Sequence, residues 1–124
     1  MTITIVEAWH IKRVGMIEDG SFPDTGFDVV NRGVIEIAST EIRIFEQEDS
    51  PTHTLNTSDA KLCIQLSLIR GLHFSNFRSR RGNYRGGQIR VVGEFDRGFI
   101  EMLTIQMPRN DYLTLKEYLQ ASLA

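Results

Sequence analysis

The sequence predicts an α+β domain: a strongly bent, mainly antiparallel sheet or partial barrel of about six to eight strands, with one C-terminal helix packed on it. Three observations predict it. Apolar residues alternate with polar ones over most of the chain, which is the period of a half-buried strand. Short clusters of Gly, Asn, Asp and Ser separate the alternating stretches, as hairpin connections do. Only the last stretch, after Pro108, changes to spacings of three and four.

The first strand places Ile3, Ile5, Trp9 and Ile11 on one side, with Thr2, Thr4 and His10 on the other. Residues 15–26 are broken by Gly15, Asp19, Gly20, Pro23 and Gly26 and read as a loop. Phe27–Val30 and Val34–Ile37 are expected to form a hairpin across Asn31-Arg32-Gly33, with Gly33 in the left-handed position. Ser39-Thr40 turns the chain into a strand where Ile42 and Ile44 alternate with charges, and a polar loop over 46–60 follows. The clearest strand is 61–69, with Leu62, Ile64, Leu66 and Leu68 on one face and Lys61, Cys63, Gln65 and Ser67 on the other. Leu72, Phe74 and Phe77 extend it or pack against it. Gln88–Phe95 and Phe99–Met107 flank Asp96-Arg97-Gly98 as a second hairpin. In the helix, Asn110 is the expected N-cap, and Asp111 complements the positive end of the helix dipole. Tyr112, Leu115, Leu119 and Leu123 form the apolar stripe, widened by Leu113 and Tyr118. This order, a run of antiparallel strands and then a terminal helix, resembles that of pleckstrin-homology-like domains. The resemblance implies a fold and no particular activity.

A chain of 124 residues reads as a single domain over 1–124, long enough to bury a core without disulfides or metal. No apolar run approaches the ~18 residues of a membrane-spanning helix, and no membrane partner is expected. The lone Cys63 excludes an internal disulfide and suits a reducing compartment. The first residues lack a basic segment followed by an apolar one, so a cytoplasmic location is expected and Asn56-Thr57-Ser58 is a chance glycosylation match. The net charge of −2 conceals an asymmetry: residues 1–62 carry eleven acids and five bases (−6), residues 63–124 five acids and nine bases (+4). Such a dipolar chain could self-associate; the simpler expectation is that the halves interleave in space and the asymmetry vanishes.

Chemistry-bearing residues are sparse. His10, His53 and His73 have no second ligand at metal-clip spacing, so neither metal nor cofactor is expected. Cys63 shares a face with Lys61, which could activate a thiol, but a mid-strand cysteine is more often a packing residue. No nucleophile elbow, phosphate loop or dinucleotide fingerprint occurs. Glu94 and Glu101, the candidate acid–base carboxylates, alternate with apolar residues as solvent-facing strand positions do.

Residues 78–90 depart from this background. They hold five of the chain's fourteen cationic side chains and no acid. Guanidinium forks grip phosphate or carboxylate bidentately, and one aromatic can anchor or stack. Arg78, Arg80, Arg81, Tyr84, Arg85 and Arg90 are therefore the candidate binding residues, read as a loop between 61–77 and the strand beginning at 88. The expected function is a non-catalytic binding module whose loop recognises anionic or carboxylate-bearing surfaces. It is also expected to form a homodimer by contact with acids such as Glu46, Glu48 and Asp49 of a second copy. Nucleic-acid binding through the same arginines is one alternative. A small-ligand cavity between curved sheet and helix, with or without catalysis, is another.

Overall fold

A computed structural model describes residues 4–16, 20, 28–30, 33–46, 60, 62–78, 85–96 and 98–123. Among them are nine strands: β1 Thr4–Ala8, β2 His10–Gly15, β3 Asp28–Val30, β4 Gly33–Ile37, β5 Glu41–Glu46, β6 Leu62–Gln65, β7 Ile69–Arg78, β8 Arg85–Glu94 and β9 Ile100–Pro108. Helix α1, Arg109–Ser122, follows. The strands form two antiparallel sheets, ordered β1-β4-β5-β6 and β3-β2-β9-β8-β7. This is the α+β arrangement that the alternating pattern and terminal helix predict. The strand count is nine because the first predicted strand and the 61–77 stretch are each divided in two.

That division is a corner between the sheets. β1 lies in the first sheet and β2 in the second, with Trp9 at the bend donating its backbone N–H to the Gln106 carbonyl at 2.8 Å. Before the bend, Val6 and Ala8 are buried; after it, Ile11 and Arg13 are. The buried parity switches from even to odd, because the bend adds a residue to the period of two. Ile5, expected inside, is therefore 54% exposed. A second corner joins β6 to β7 through a single 3-10 turn at Leu66–Leu68. The alternation that predicts one strand over 61–69 holds through the buried Leu66, after which the turn leaves Leu68 exposed.

The predicted hairpin at 31–33 is not formed. β3 pairs with β2 in one sheet, while Gly33 begins β4 in the other and pairs with Ala8 and Glu46. Turn chemistry is a local preference. Seating Ile35 and Ile37 in the core between β1 and β5 is worth about 1.5–3 kcal/mol for each side chain and overrides it. Asn31 and Arg32 lie outside the described residues. The later hairpin forms as expected: β8 and β9 pair from Gly86–Pro108 to Glu94–Ile100, and Gly98 takes a φ of 79° in the turn. Serine and threonine at 39–40 turn β4 into β5, closed by the Ala38 N–H on the Glu41 carbonyl at 3.0 Å.

One core lies between the sheets and the helix, built from Val6, Ile11, Ile35, Ile42, Ile44, Ile64, Ile89, Val91, Leu103 and Ile105 among others. Helix α1 lies across β8 and reaches β1 and β9. Its buried side chains are Tyr112, Leu115 and Leu119, the predicted stripe. Leu113 and Leu123 are exposed, so the stripe is narrower than expected on that side. Tyr118 widens it on the other, packing on the core and donating its hydroxyl proton to the Ala38 carbonyl. The N-cap is Pro108, not Asn110; the Asn110 carbonyl instead accepts from the Thr114 hydroxyl at 3.0 Å. A proline at this junction ends β9 and loses no helical donor, so the helix starts without a side-chain cap. Asp111 does occupy the first turn.

The helix can sit this close because β8 opens with Gly86 and Gly87. A β-carbon at Gly87 would fall inside the Tyr112 ring, and one at Gly86 would meet the Trp9 ring and the Met107 carbonyl. Gly87→Ala should therefore destabilise the fold by about 1–3 kcal/mol in urea unfolding, the cost of overpacking. In the double variant with Tyr112→Ala, the glycine substitution should cost much less, because the ring it clashes with is gone. Additive losses would show that the contact does not limit helix seating.

Candidate functional site

The arginine-rich run is less of a loop than its composition suggests. β8 begins at Arg85, not at residue 88, and Arg85 pairs with Arg78 at the end of the β7–β8 hairpin. Residues 85–90 are thus strand, and the two glycines at 86 and 87 are packing positions. Arg85 and Arg90 are exposed. Arg78 is placed by its backbone pairing, while Arg80, Arg81 and Tyr84 lie outside the described residues.

Strand pairing shows what Arg90 stands beside. On β8, Ile89 and Val91 point into the core, so Gln88 and Arg90 face outward. Following the register across the sheet gives the row Lys12–Thr104–Arg90–His73, and next to it His10–Gln106–Gln88–Ser75. The Gln106 side-chain amide donates to the Gln88 side-chain oxygen at 3.0 Å across these strands. All eight residues are polar, and no carboxylate stands among them. The nearest acid in register is Asp28 of β3, the partner of Lys12 at the end of the row. The Trp9 ring, partly exposed, lies against Gly86, adjacent in sequence to Arg85.

Sequence reasoning finds Arg90 and Arg85 but misses His10, Lys12, His73, Gln88, Thr104 and Gln106. Alternation assigns each of these to an outward position within its own strand. Their assembly into one surface depends on pairings such as Lys12 with Thr104, which no local signal encodes.

The other sheet carries the opposite charge. On the outer side of β4 and β5, Arg43 is flanked by Glu36 and Glu41, donating to the first through Nη1 and to the second through Nη2 at 2.7 Å. Hydrogen bonds from Arg43 to Glu41 and Glu36 hold its guanidinium pKa above the ordinary value, against the opposing effect of burial. Glu7 and Glu46 are exposed on β1 and β5 of the same sheet. The charge asymmetry along the chain therefore persists in space among the described residues, because β1, β4 and β5 come from the acidic half and β6, at the boundary, adds no charge.

Glu101, expected to face solvent, is fully buried on the core side of β9. It accepts from Arg13 Nε and, at 2.6 Å, from Arg13 Nη2, forming a forked pair between β2 and β9. Arg13 Nη2 also reaches Asp96 in the β8–β9 turn. Burial alone lowers the Arg13 pKa, but hydrogen bonds and charge from Glu101 and Asp96 outweigh it and raise the value. This carboxylate is a structural counter-ion, sealed from any substrate. Glu94, in contrast, is partly exposed and pairs with Arg70 at 3.4 Å, as its alternation predicts. Cys63 is exposed and stands opposite Arg43 in register. Burial of the thiol first, and then the charge of Glu41, pushes its pKa up, with Arg43 opposing. A raised pKa is the reverse of what a nucleophilic thiolate needs. Among the described residues, no three His, Cys, Asp or Glu side chains gather where a metal ion could be held.

Glu101→Gln leaves the buried Arg13 with only the exposed Asp96 as counter-ion and should cost about 3 kcal/mol by urea unfolding. Replacing both partners with apolar residues, as in Arg13→Met/Glu101→Leu, should recover most of that loss. Alkylation of Cys63 by iodoacetamide should be slow at neutral pH and half-maximal above the ~8.5 of an ordinary cysteine; a midpoint below that value would contradict the raised pKa. No protein-family model matches the chain, and a search of curated proteins finds no significant relative.

Proposed function

We propose that this chain is a non-catalytic, cytoplasmic binding module that engages anionic surfaces through the β7–β8 hairpin and the outer face of the sheet behind it. The observation that carries this reading is the register alignment of Lys12, Arg90 and His73, with Arg85 at the hairpin end and Asp28, beside Lys12 on the edge strand, the one acid among the described residues in register with it. Guanidinium and ammonium groups on a rigid sheet are held at fixed spacing, so an anion meets them without the entropic cost of ordering a loop. The ligand-cavity alternative is disfavoured by the way Tyr112, Leu115 and Leu119 fill the space between helix and sheets. A second copy is one anionic partner that the geometry supports. The outer face of β1, β4 and β5 carries Glu7, Glu36 and Glu41 with the single cation Arg43, opposite in sign to the β8 face.

Binding to heparin and to polyglutamate should be measurable at low ionic strength and should weaken about tenfold between 50 and 200 mM salt, as expected for about two or three neutralised charges. Lys12→Ala/Arg90→Ala should abolish most of it without changing the unfolding midpoint. Sedimentation of the same samples without polyanion reads self-association directly. Absence of salt-dependent binding to either polymer, together with a monomer at low salt, would sink the reading.

A further inference from the structure

We infer that Arg90 and His73 form a two-pronged site for the singly charged oxyanion of a strong acid, a sulfate ester or a bridging phosphate, complete only when His73 is protonated, an inference that rests on the anion-binding reading above. The two residues stand directly opposite each other in the β7–β8 register, and both are exposed. Opposite residues of an antiparallel pair hold their β-carbons about 4.5–5.5 Å apart, so an imidazole and a guanidinium placed there reach one oxyanion together. Two like charges in that position repel, and an anion seated between them compensates both. Proton uptake by the imidazole and anion binding therefore favour each other. Donors flank the pair. Ser75 and Gln88 are the next outward pair, and the Gln88 side-chain oxygen is taken by the Gln106 amide at 3.0 Å, so the Gln88 nitrogen presents its N–H groups to an acceptor. Thr104, opposite Arg90 on β9, adds a hydroxyl.

The groups around His73 leave the pair without a competing acid. From β8 it faces Arg90, with Gln88 and Val92 diagonal to it, and on β7 Gly71 and Ser75 share its face. β7 ends its sheet, so among the described residues no further strand brings a charge from the other side. Helix α1 lies on the core side, where Lys116 faces the Phe74 ring. Glu94 is paired with Arg70 and stands four residues along β8 from Arg90, about 13 Å at ~3.3 Å per residue. Asp28, beside Lys12, is three strands from Arg90, about 14 Å at ~4.8 Å per strand and beyond the ~8 Å Debye length of physiological salt. The site uses neither Lys12 nor Trp9. A strong-acid oxyanion keeps its full charge down to about pH 5.5, whereas a carboxylate begins to lose its charge as its ordinary pKa of about 4.3 is approached. Strengthening in acid therefore selects sulfate or bridging phosphate over an acidic protein surface.

The decisive experiment titrates the full chain with dextran sulfate and with inorganic polyphosphate of matched charge, at about pH 5.5 and about pH 8, the range over which histidine changes charge. Binding is followed by calorimetry at several salt concentrations, and the relative affinity of the two polymers separates sulfate ester from phosphate. The expected result is binding about fivefold tighter at the lower pH, the factor of one ion contact in water, with a salt slope steeper by about 0.7. His73→Gln should bind at both pH values as the unaltered chain does at the higher one. His73→Lys, which keeps its charge throughout, should bind at both as the unaltered chain does at the lower one. His73 is exposed, so both substitutions leave the core untouched. His10→Gln and His53→Gln, at the chain's other two histidines, should retain the full pH dependence. Binding that requires Arg90 but is equal at the two pH values would overturn the inference and leave the anion-binding reading standing. So would a pH dependence that persists in His73→Gln. Binding of neither polymer at either pH and low salt would remove both.

Discussion

The seat of Tyr112 on the uncovered backbone of Gly87 is the contact on which the rest of the fold depends. Helix α1 covers the core where the two sheets part, and its buried stripe is only Tyr112, Leu115 and Leu119. With so few anchors, each large side chain contributes about 1.5–3 kcal/mol by burial, and a shift of the helix away from β8 would weaken all of them together. A side chain at residue 87 would force that shift. Gly86 performs the same service for Trp9 and thereby sets how closely the first corner approaches the last hairpin. Two glycines that would otherwise weaken a strand are thus retained for close approach.

The second constraint is electrostatic. Burying Glu101 without a partner would be prohibitive, and Arg13 reaches it from the adjacent strand with a fork that satisfies both carboxylate oxygens. The pair joins residues 88 positions apart at the end of the β2–β9 ladder. An apolar pair of similar volume would hold the sheet at least as strongly. What the ion pair adds is register: a slip of one residue between β2 and β9 would turn one member outward and leave the other buried alone. The same register lines up Lys12 with Thr104, so the buried side of the ladder determines the spacing of cations on its exposed side.

The two outer faces differ in sign because chain segments were sorted between sheets nearly intact. The acidic half supplies most of one sheet and the cationic half most of the other, apart from β2 and β3. A net charge near neutrality therefore hides, among the described residues, one face richer in acids and another richer in bases. This separation gives the arginines of β8 a context that their number alone does not.

Alternation and turn chemistry determined much of this protein from sequence. The antiparallel strands, the hairpin closed by Gly98, the buried Ile42, Ile44, Leu62 and Ile64, and the helical stripe all follow from periods of two and 3.6 and from glycine's access to positive φ. These are local properties, set by residues within a few positions of one another. Five features were decided by tertiary structure: the bend that re-phases the chain at Trp9, the assignment of β3 and β4 to different sheets, the burial of Glu101, the packing role of Gly87, and the basic row on the outer face. Each depends on a partner far along the chain. A carboxylate reads as solvent-facing until its arginine is known, and a glycine reads as flexible until a ring is found above it. The candidate surface was legible only at Arg85 and Arg90, because its other members come from strands that pairing brings together and periodicity leaves unconnected.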